Sequence, residues 1–190
     1  MDYEEFRKSV ADKIVERLEW RDLATFVPNK RLPIYNWFYY KEGYAKELVE
    51  KIIEMFGIKE GSIVLDPFCG AGTTLLACKQ NGIESIGYDV LPISVFASRV
   101  KTADYDTEKL REAARDISKA HFITLNTKEK FPTLFYKAFS KYALQDIVFL
   151  EEQIKRIDRE LREFFTLVLI NASLKCSYAY KDGSVIKIKR

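Results

Sequence analysis

The 190-residue sequence is short of several residue types, and each shortage removes a class of chemistry. Its three cysteines, Cys69, Cys78 and Cys176, show no C-x-x-C spacing, and an odd count argues against a disulfide framework, so a reducing cytoplasm is the expected setting. The single histidine, His121, carries no assigned role, and no metal-ligand set is read from the chain. No apolar run reaches the roughly 20 residues a membrane span needs; the longest, residues 164–170, is broken by Thr166 and followed by Asn171. The opening MDYEEFRKSV is acidic and amphipathic, without the basic leader and apolar segment of a secretory signal. The five prolines stand at positions 28, 33, 67, 92 and 132, no two of them adjacent.

What is present is unevenly charged. Residues 1–100 carry 13 Lys and Arg against 15 acids, whereas residues 101–190 carry 18 against 13. A basic second half hints at nucleic-acid contact, against the plainer reading of a solvated charged surface. Tyr3, Phe6, Val10, Ile14 and Leu18 recur at helical spacing and predict one amphipathic helix over residues 2–24. A second helix is expected over residues 45–56, stopped by Gly57. The apolar SIVLD (62–66), a helix over 73–80 closed by Asn81-Gly82, and ESIGYD (84–89) make one βαβ unit. A further helix follows Pro92 and runs to about residue 101.

Beyond Asp106 about seventy residues read as helix with a short break near Phe131-Pro132. Ile147, Leu150, Ile154, Ile157, Leu161, Phe164 and Val168 alternate spacings of three and four. They predict a helical lobe, packed within the chain on Leu110, Ala114 and Ile117 or forming a homodimer seam or partner groove. The terminal DGSVIKIKR alternates and predicts one more strand after an Asp-Gly turn.

The densest signal is LDPFCGAGTTLLA (65–77), a strand end running through a glycine turn into a helix. Gly70 and Gly72 let a ligand lie against the backbone, and Thr73 and Thr74 suit either a helix cap or ligand hydroxyl donors. A P-loop is excluded, because no lysine occurs between residues 60 and 78. A dinucleotide fingerprint wants a third glycine where Leu75 stands, and Asp66 would repel a pyrophosphate. Asp66 instead suits a ligand bearing an ammonium and a sulfonium. Asp89, ending the next strand, is placed to accept both ribose hydroxyls with Val90 beside the adenine. Acid, glycine turn and second acid describe a site for S-adenosyl-L-methionine.

Residues 65–101 resemble the cofactor-binding half of the DNA modification methyltransferases that methylate exocyclic amino groups. In that family a D-P-F-x-G-x-G-T-T turn is followed by G-x-D/E-x-x-P. The matching residues are Asp66, Pro67, Phe68, Gly70, Gly72, Thr73, Thr74, Gly87, Asp89 and Pro92. The upstream YNWFYYKEGYAKELVEKI resembles the family segment that closes over the methionine end, which implies places for Gly43 and Tyr44 there. Trp37, Phe38, Tyr39 and Tyr40 are candidates for stacking on a base or for packing on the sheet or cofactor.

The resemblance also implies an Asp, Asn or Ser followed by Pro-Pro and an aromatic residue, which would hold a flipped base. No such loop exists in this sequence, and no cysteine follows a proline, so no catalytic residue is assigned. The expected fold is α/β: a partial Rossmann-like class I methyltransferase sheet with an N-terminal helical segment and a C-terminal helical lobe. Its cofactor portion is expected at residues 1–106 and the lobe at 107–190. The expected function is the cofactor-binding part of a DNA methyltransferase from restriction-modification, acting on DNA with a second polypeptide, a continuation of the chain, or not at all. The alternatives are a fragment of an RNA guanine-amino methyltransferase and a non-catalytic binding or assembly module.

Overall fold

The structure is a computed structural model that describes residues 2–11, 15–127, 131–182 and 185–189. Helical spacing over residues 2–24 is realised as two pieces rather than the expected single helix. Helix α1 spans Tyr3–Ala11, residues 15–17 lack regular structure, and a 3-10 helix covers Leu18–Ala24. Ile14, part of the periodic pattern, lies outside the described residues. The reason is packing: the described apolar positions Tyr3 and Phe6 of α1 are exposed, and short helices depend on burial of such residues. Leu23 by contrast is buried, and its carbonyl accepts the Ala45 N–H at 2.8 Å.

Two further 3-10 turns, Val27–Arg31 and Tyr35–Trp37, lead to helix α2 (Lys46–Met55). Strand β1 (Ile63–Asp66), helix α3 (Thr73–Gln80) and strand β2 (Glu84–Gly87) follow as the expected βαβ unit. The strands run parallel, with Ile63 opposite Glu84 and Asp66 opposite Gly87. Helix α3 buries Leu76, Ala77 and Cys78, and α2 packs on α3. Gly87 is where the helix and turn come closest to β2, because an added Cβ would meet Leu75 Cδ1 at 2.7 Å and Cys69 Cβ at 2.9 Å. Alternate strand residues Ile63, Leu65 and Ile86, and Tyr88 just past β2, are exposed on this two-stranded sheet. Parallel sheets ordinarily have both faces covered by helices. Among the described residues the Rossmann-like sheet therefore consists of this one parallel pair.

Contacts divide the chain into two compact units, Met1–Asp89 and Val90–Arg190. The second opens with helix α4 (Pro92–Thr102), with its proline in the first turn as expected. Helix α5 (Thr107–Lys119) begins at Asp106, whose carboxylate accepts the N–H groups of Glu108 at 2.9 Å and Lys109 at 3.2 Å. The break in the helical stretch is longer than the sequence predicts, since residues 120–127 form no helix and α6 begins only at Thr133–Ala138. Helices α7 (Lys141–Ile154) and α8 (Arg159–Cys176) are separated by a short turn and pack together.

The three-and-four spacing thus crosses a turn and does not mark a continuous heptad helix. Ile154, Leu161 and Phe165 form a buried cluster with Ala113, flanked by Leu110 and Ile117. The helical face expected to pack on α5 does so through Ala113 rather than Ala114. Positions considered for a dimer seam, Ile154 and Leu161, are already buried within the chain. The tail forms a hairpin rather than a lone strand: β3 (Ala179–Asp182) pairs antiparallel with β4 (Val185–Ile188). Gly183 of the expected Asp-Gly turn lies outside the described residues.

Candidate functional site

Strand β1 delivers Asp66 to the lip of the glycine turn, and the chain then folds back on itself. The Tyr88 N–H donates to the Asp66 carbonyl at 2.9 Å, and the Cys69 N–H to the Tyr88 carbonyl at 2.9 Å, which continues the parallel pairing past the strand ends. The Gly72 N–H then donates to the Cys69 carbonyl at 2.8 Å, closing the turn. Both glycines have left-handed backbones, with φ of +50° at Gly70 and +78° at Gly72, a region that side-chain-bearing residues rarely enter. Gly72 itself is the N-cap of α3, without a side-chain cap. Neither threonine caps the helix: Thr73 and Thr74 are its first two residues, both buried.

The two acids meet this turn from different strands. Asp66 Oδ1 accepts the Phe68 N–H at 3.1 Å, and its Oδ2 accepts the Tyr44 hydroxyl at 2.8 Å. Asp89, just past β2, reaches back so that Oδ2 accepts the Gly70 N–H at 2.9 Å. The Tyr44 hydroxyl also lies in hydrogen-bond contact with Thr74 Oγ1. Burial pushes the Tyr44 phenol above its ordinary pKa, and the Asp66 carboxylate adds to that rise. Tyr44 therefore stays protonated and serves as a donor.

The segment ahead of α2 packs against the turn. Tyr40 lies over Gly70, where an added Cβ would come within 2.9 Å of its Cε1. Gly43 is closed in by Phe26, whose Cδ2 would lie 2.9 Å from a Cβ there. Of the aromatic run, Phe38 is buried and Tyr39 meets Phe26 edge-on at 5.3 Å, so this stretch packs on its own fold. Pro67 is exposed, and Phe68, at 80% exposure, is no core residue. Val90, directly after Asp89 in the chain, is likewise exposed.

Asn29 organises this arrangement, and the sequence offered no sign of it beyond a polar residue after a proline. It is fully buried, donates from Nδ2 to the Tyr44 carbonyl at 2.8 Å, and accepts the Lys46 N–H on Oδ1 at 2.8 Å. A side chain that mimics a backbone partner on both sides of Ala45 fixes where Tyr44 points. Every described member of the predicted site thus lies in or beside one turn, except Val90, which begins the next unit.

The DNA methylase family matches residues 8–93, which include both acids and the glycine turn. The type II methyltransferase M.BsoBI of Geobacillus stearothermophilus is 34% identical over 180 residues, 92% of this chain and 35% of that protein. The type II methyltransferase M.MjaII of Methanocaldococcus jannaschii is 34% identical over 167 residues, 86% of this chain and 28% of its own length. A tRNA (guanine(10)-N2)-dimethyltransferase of Methanothermobacter thermautotrophicus is 30% identical over 92 residues, covering 47% of this chain and 27% of that one. This chain spans about a third of the length of the first two relatives. No solved structure gives a significant match. The family match over residues 8–93 and the two type II methyltransferases lead to one conclusion: the chain belongs to the DNA methylase family.

Proposed function

We infer that this chain is the S-adenosyl-L-methionine-binding part of a DNA adenine- or cytosine-amino methyltransferase, with the base-holding and catalytic segments supplied from outside residues 1–190. The observation that carries this reading is the glycine turn held between two carboxylates, with Asp89 hydrogen-bonded to the Gly70 N–H. Two anionic side chains at one backbone bend favour a ligand with positive charge and ribose hydroxyls and disfavour a phosphate. The bound cofactor would supply the methyl group.

The chain's own residues do the holding. Asp89 accepts ribose hydroxyls, Asp66 faces the charged amino-acid end, and exposed Phe68 offers apolar surface to adenine. Gly43 and Tyr44 border the methionine end, with Tyr44 keeping Asp66 oriented. Pro67 fixes the turn's entry, Gly72 its exit, and Thr73 and Thr74 begin the helix beneath. The exposed face of the β1–β2 pair supports incompleteness, because Ile63, Leu65 and Ile86 form an apolar surface of the kind that helices cover in a doubly wound sheet.

Calorimetry with S-adenosyl-L-methionine and S-adenosylhomocysteine tests the reading. Saturable binding that Asp89→Ala abolishes is expected. No heat at millimolar ligand, or methylation of DNA by this chain alone, would refute it. The partial similarity to a tRNA guanine-amino enzyme supplies the second reading. Methyl transfer to tRNA rather than duplex DNA, in the presence of the complementing segment, would establish that one instead.

A further inference from the structure

The basic excess of the second half has a structural location. Over residues 175–190 five basic residues face a single acid, Asp182. Strands β3 and β4 arrange part of that charge. Tyr180 stands opposite Lys187 in the antiparallel register, and the Lys189 N–H donates to the Tyr178 carbonyl at 2.8 Å one step nearer the hairpin base. Opposed residues share a face, and residues two apart on a strand return to it. One face of the hairpin therefore carries the Tyr178–Lys189 and Tyr180–Lys187 pairs, with the Asp182–Val185 pair next toward the turn. All four side chains are exposed, and Lys189 Nζ sits 5.5 Å from the centre of the Tyr180 ring.

The hairpin is fixed at its base rather than trailing. The Tyr178 N–H donates to the Ala138 carbonyl at 2.7 Å, and Ser177 Oγ donates to the same oxygen at 3.2 Å. This joins β3 to the end of α6, where exposed Lys137, Lys141 and Tyr142 add two cations and an aromatic ring close by in sequence. On the opposite hairpin face Ala179 and Ile188 are half-buried, whereas Ile186 is exposed. The hairpin is anchored at its base, where the two tyrosine–lysine pairs stand.

We propose that the Tyr178–Lys189–Tyr180–Lys187 face is a DNA-binding surface, in which the lysines neutralise backbone phosphates and the tyrosines lie against sugars or unstacked bases. A polyanion with planar groups between its charges is the ligand this pairing matches. The choice of DNA over another polyanion rests on the proposed function, whereas the binding surface rests on the hairpin alone. It belongs to a compact unit that does not contain Asp66 or Asp89.

The test is fluorescence anisotropy of the full chain with a labelled mixed-sequence 30-base-pair duplex across a salt series. Each lysine that neutralises a phosphate contributes about 0.9 to the slope of log K against log salt. Lys187→Gln with Lys189→Gln is expected to flatten that slope by about 1.8, and Lys187→Arg with Lys189→Arg to preserve it. Tyr178→Ala with Tyr180→Ala is expected to weaken binding about tenfold at every salt concentration with the slope unchanged. All variants should keep wild-type circular dichroism and S-adenosyl-L-methionine binding. An absence of salt-dependent duplex binding, an unchanged slope in the folded Gln variant, or tighter binding to an RNA of the same sequence would overturn the proposal. Cofactor binding fails or survives independently of these outcomes, which separates this surface from the proposed function.

Discussion

Asn29 is the position where a single side chain should matter most to the first unit. Its replacement by alanine leaves the Tyr44 carbonyl and the Lys46 N–H without partners in a buried place. An unsatisfied buried group costs about 1–3 kcal/mol, so two of them give roughly 3 kcal/mol after partial relaxation. For a unit of this size that corresponds to a fall in Tm of roughly 10–20 °C. The assay is favourable, because the chain has two tryptophans, Trp20 and Trp37, and both lie in Met1–Asp89. Tryptophan fluorescence therefore follows the first unit while far-UV circular dichroism is dominated by the helices of the second.

Asn29→Ala should move the fluorescence transition and leave the main circular dichroism transition in place. Asn29→Asp sharpens the test: an ionised carboxylate would set an acceptor against the Tyr44 carbonyl, whereas the protonated acid can donate. The folded state would then bind that proton more tightly than the unfolded state, so stability should fall as pH rises through the carboxyl's titration. A fluorescence transition in Asn29→Ala within about 0.5 kcal/mol of wild type would refute the reasoning, because that is the range of neutral surface changes.

Other outcomes follow from the same structure. Gly70→Ala should be more damaging than Gly82→Ala: both have positive φ, but only at Gly70 does a Cβ strike a ring, that of Tyr40, while nothing lies within 4 Å of one at Gly82. Equal unfolding free energies for the two variants would contradict this. Lys101 is buried and its pKa is pushed down to about 8 from 10.5 by desolvation. Between those values the unfolded chain holds a proton that the folded one lacks, so the second unit should gain stability as pH rises from about 8 to 9.5, a slope that Lys101→Met removes in urea titrations. Ser94 Oγ is buried without a hydrogen-bond partner among the described residues, so Ser94→Ala should stabilise by about 1 kcal/mol in the same titrations, and a loss of stability would count against it. Leu161→Asp should unfold the α5–α7–α8 cluster and abolish its circular dichroism transition while fluorescence still reports a folded first unit.

The sequence by itself determined the elements whose causes are local. The βαβ unit, the glycine turn and the helix after Pro92 were legible because chain-neighbour sterics, left-handed glycine backbones and apolar runs act over a few residues. For the same reason the absence of adjacent prolines could be read directly from the letters. Only the tertiary structure decided the rest. Residues 2–24 have helical spacing, yet Tyr3 and Phe6 of α1 are exposed and Leu18–Ala24 forms a separate 3-10 helix. The spacing from Ile147 to Val168 looked continuous because a short turn preserves its phase, and only packing against Ala113 reveals two helices. The roles of Asn29 and Tyr40 arise from segments brought together across 15 to 30 positions, as in the bonds from Asn29 to Tyr44 and the cover of Gly70 by Tyr40. Periodicity records which face a residue occupies; it carries no record of what will lie opposite, and that is fixed only when burial and hydrogen-bond satisfaction are settled for the whole chain at once.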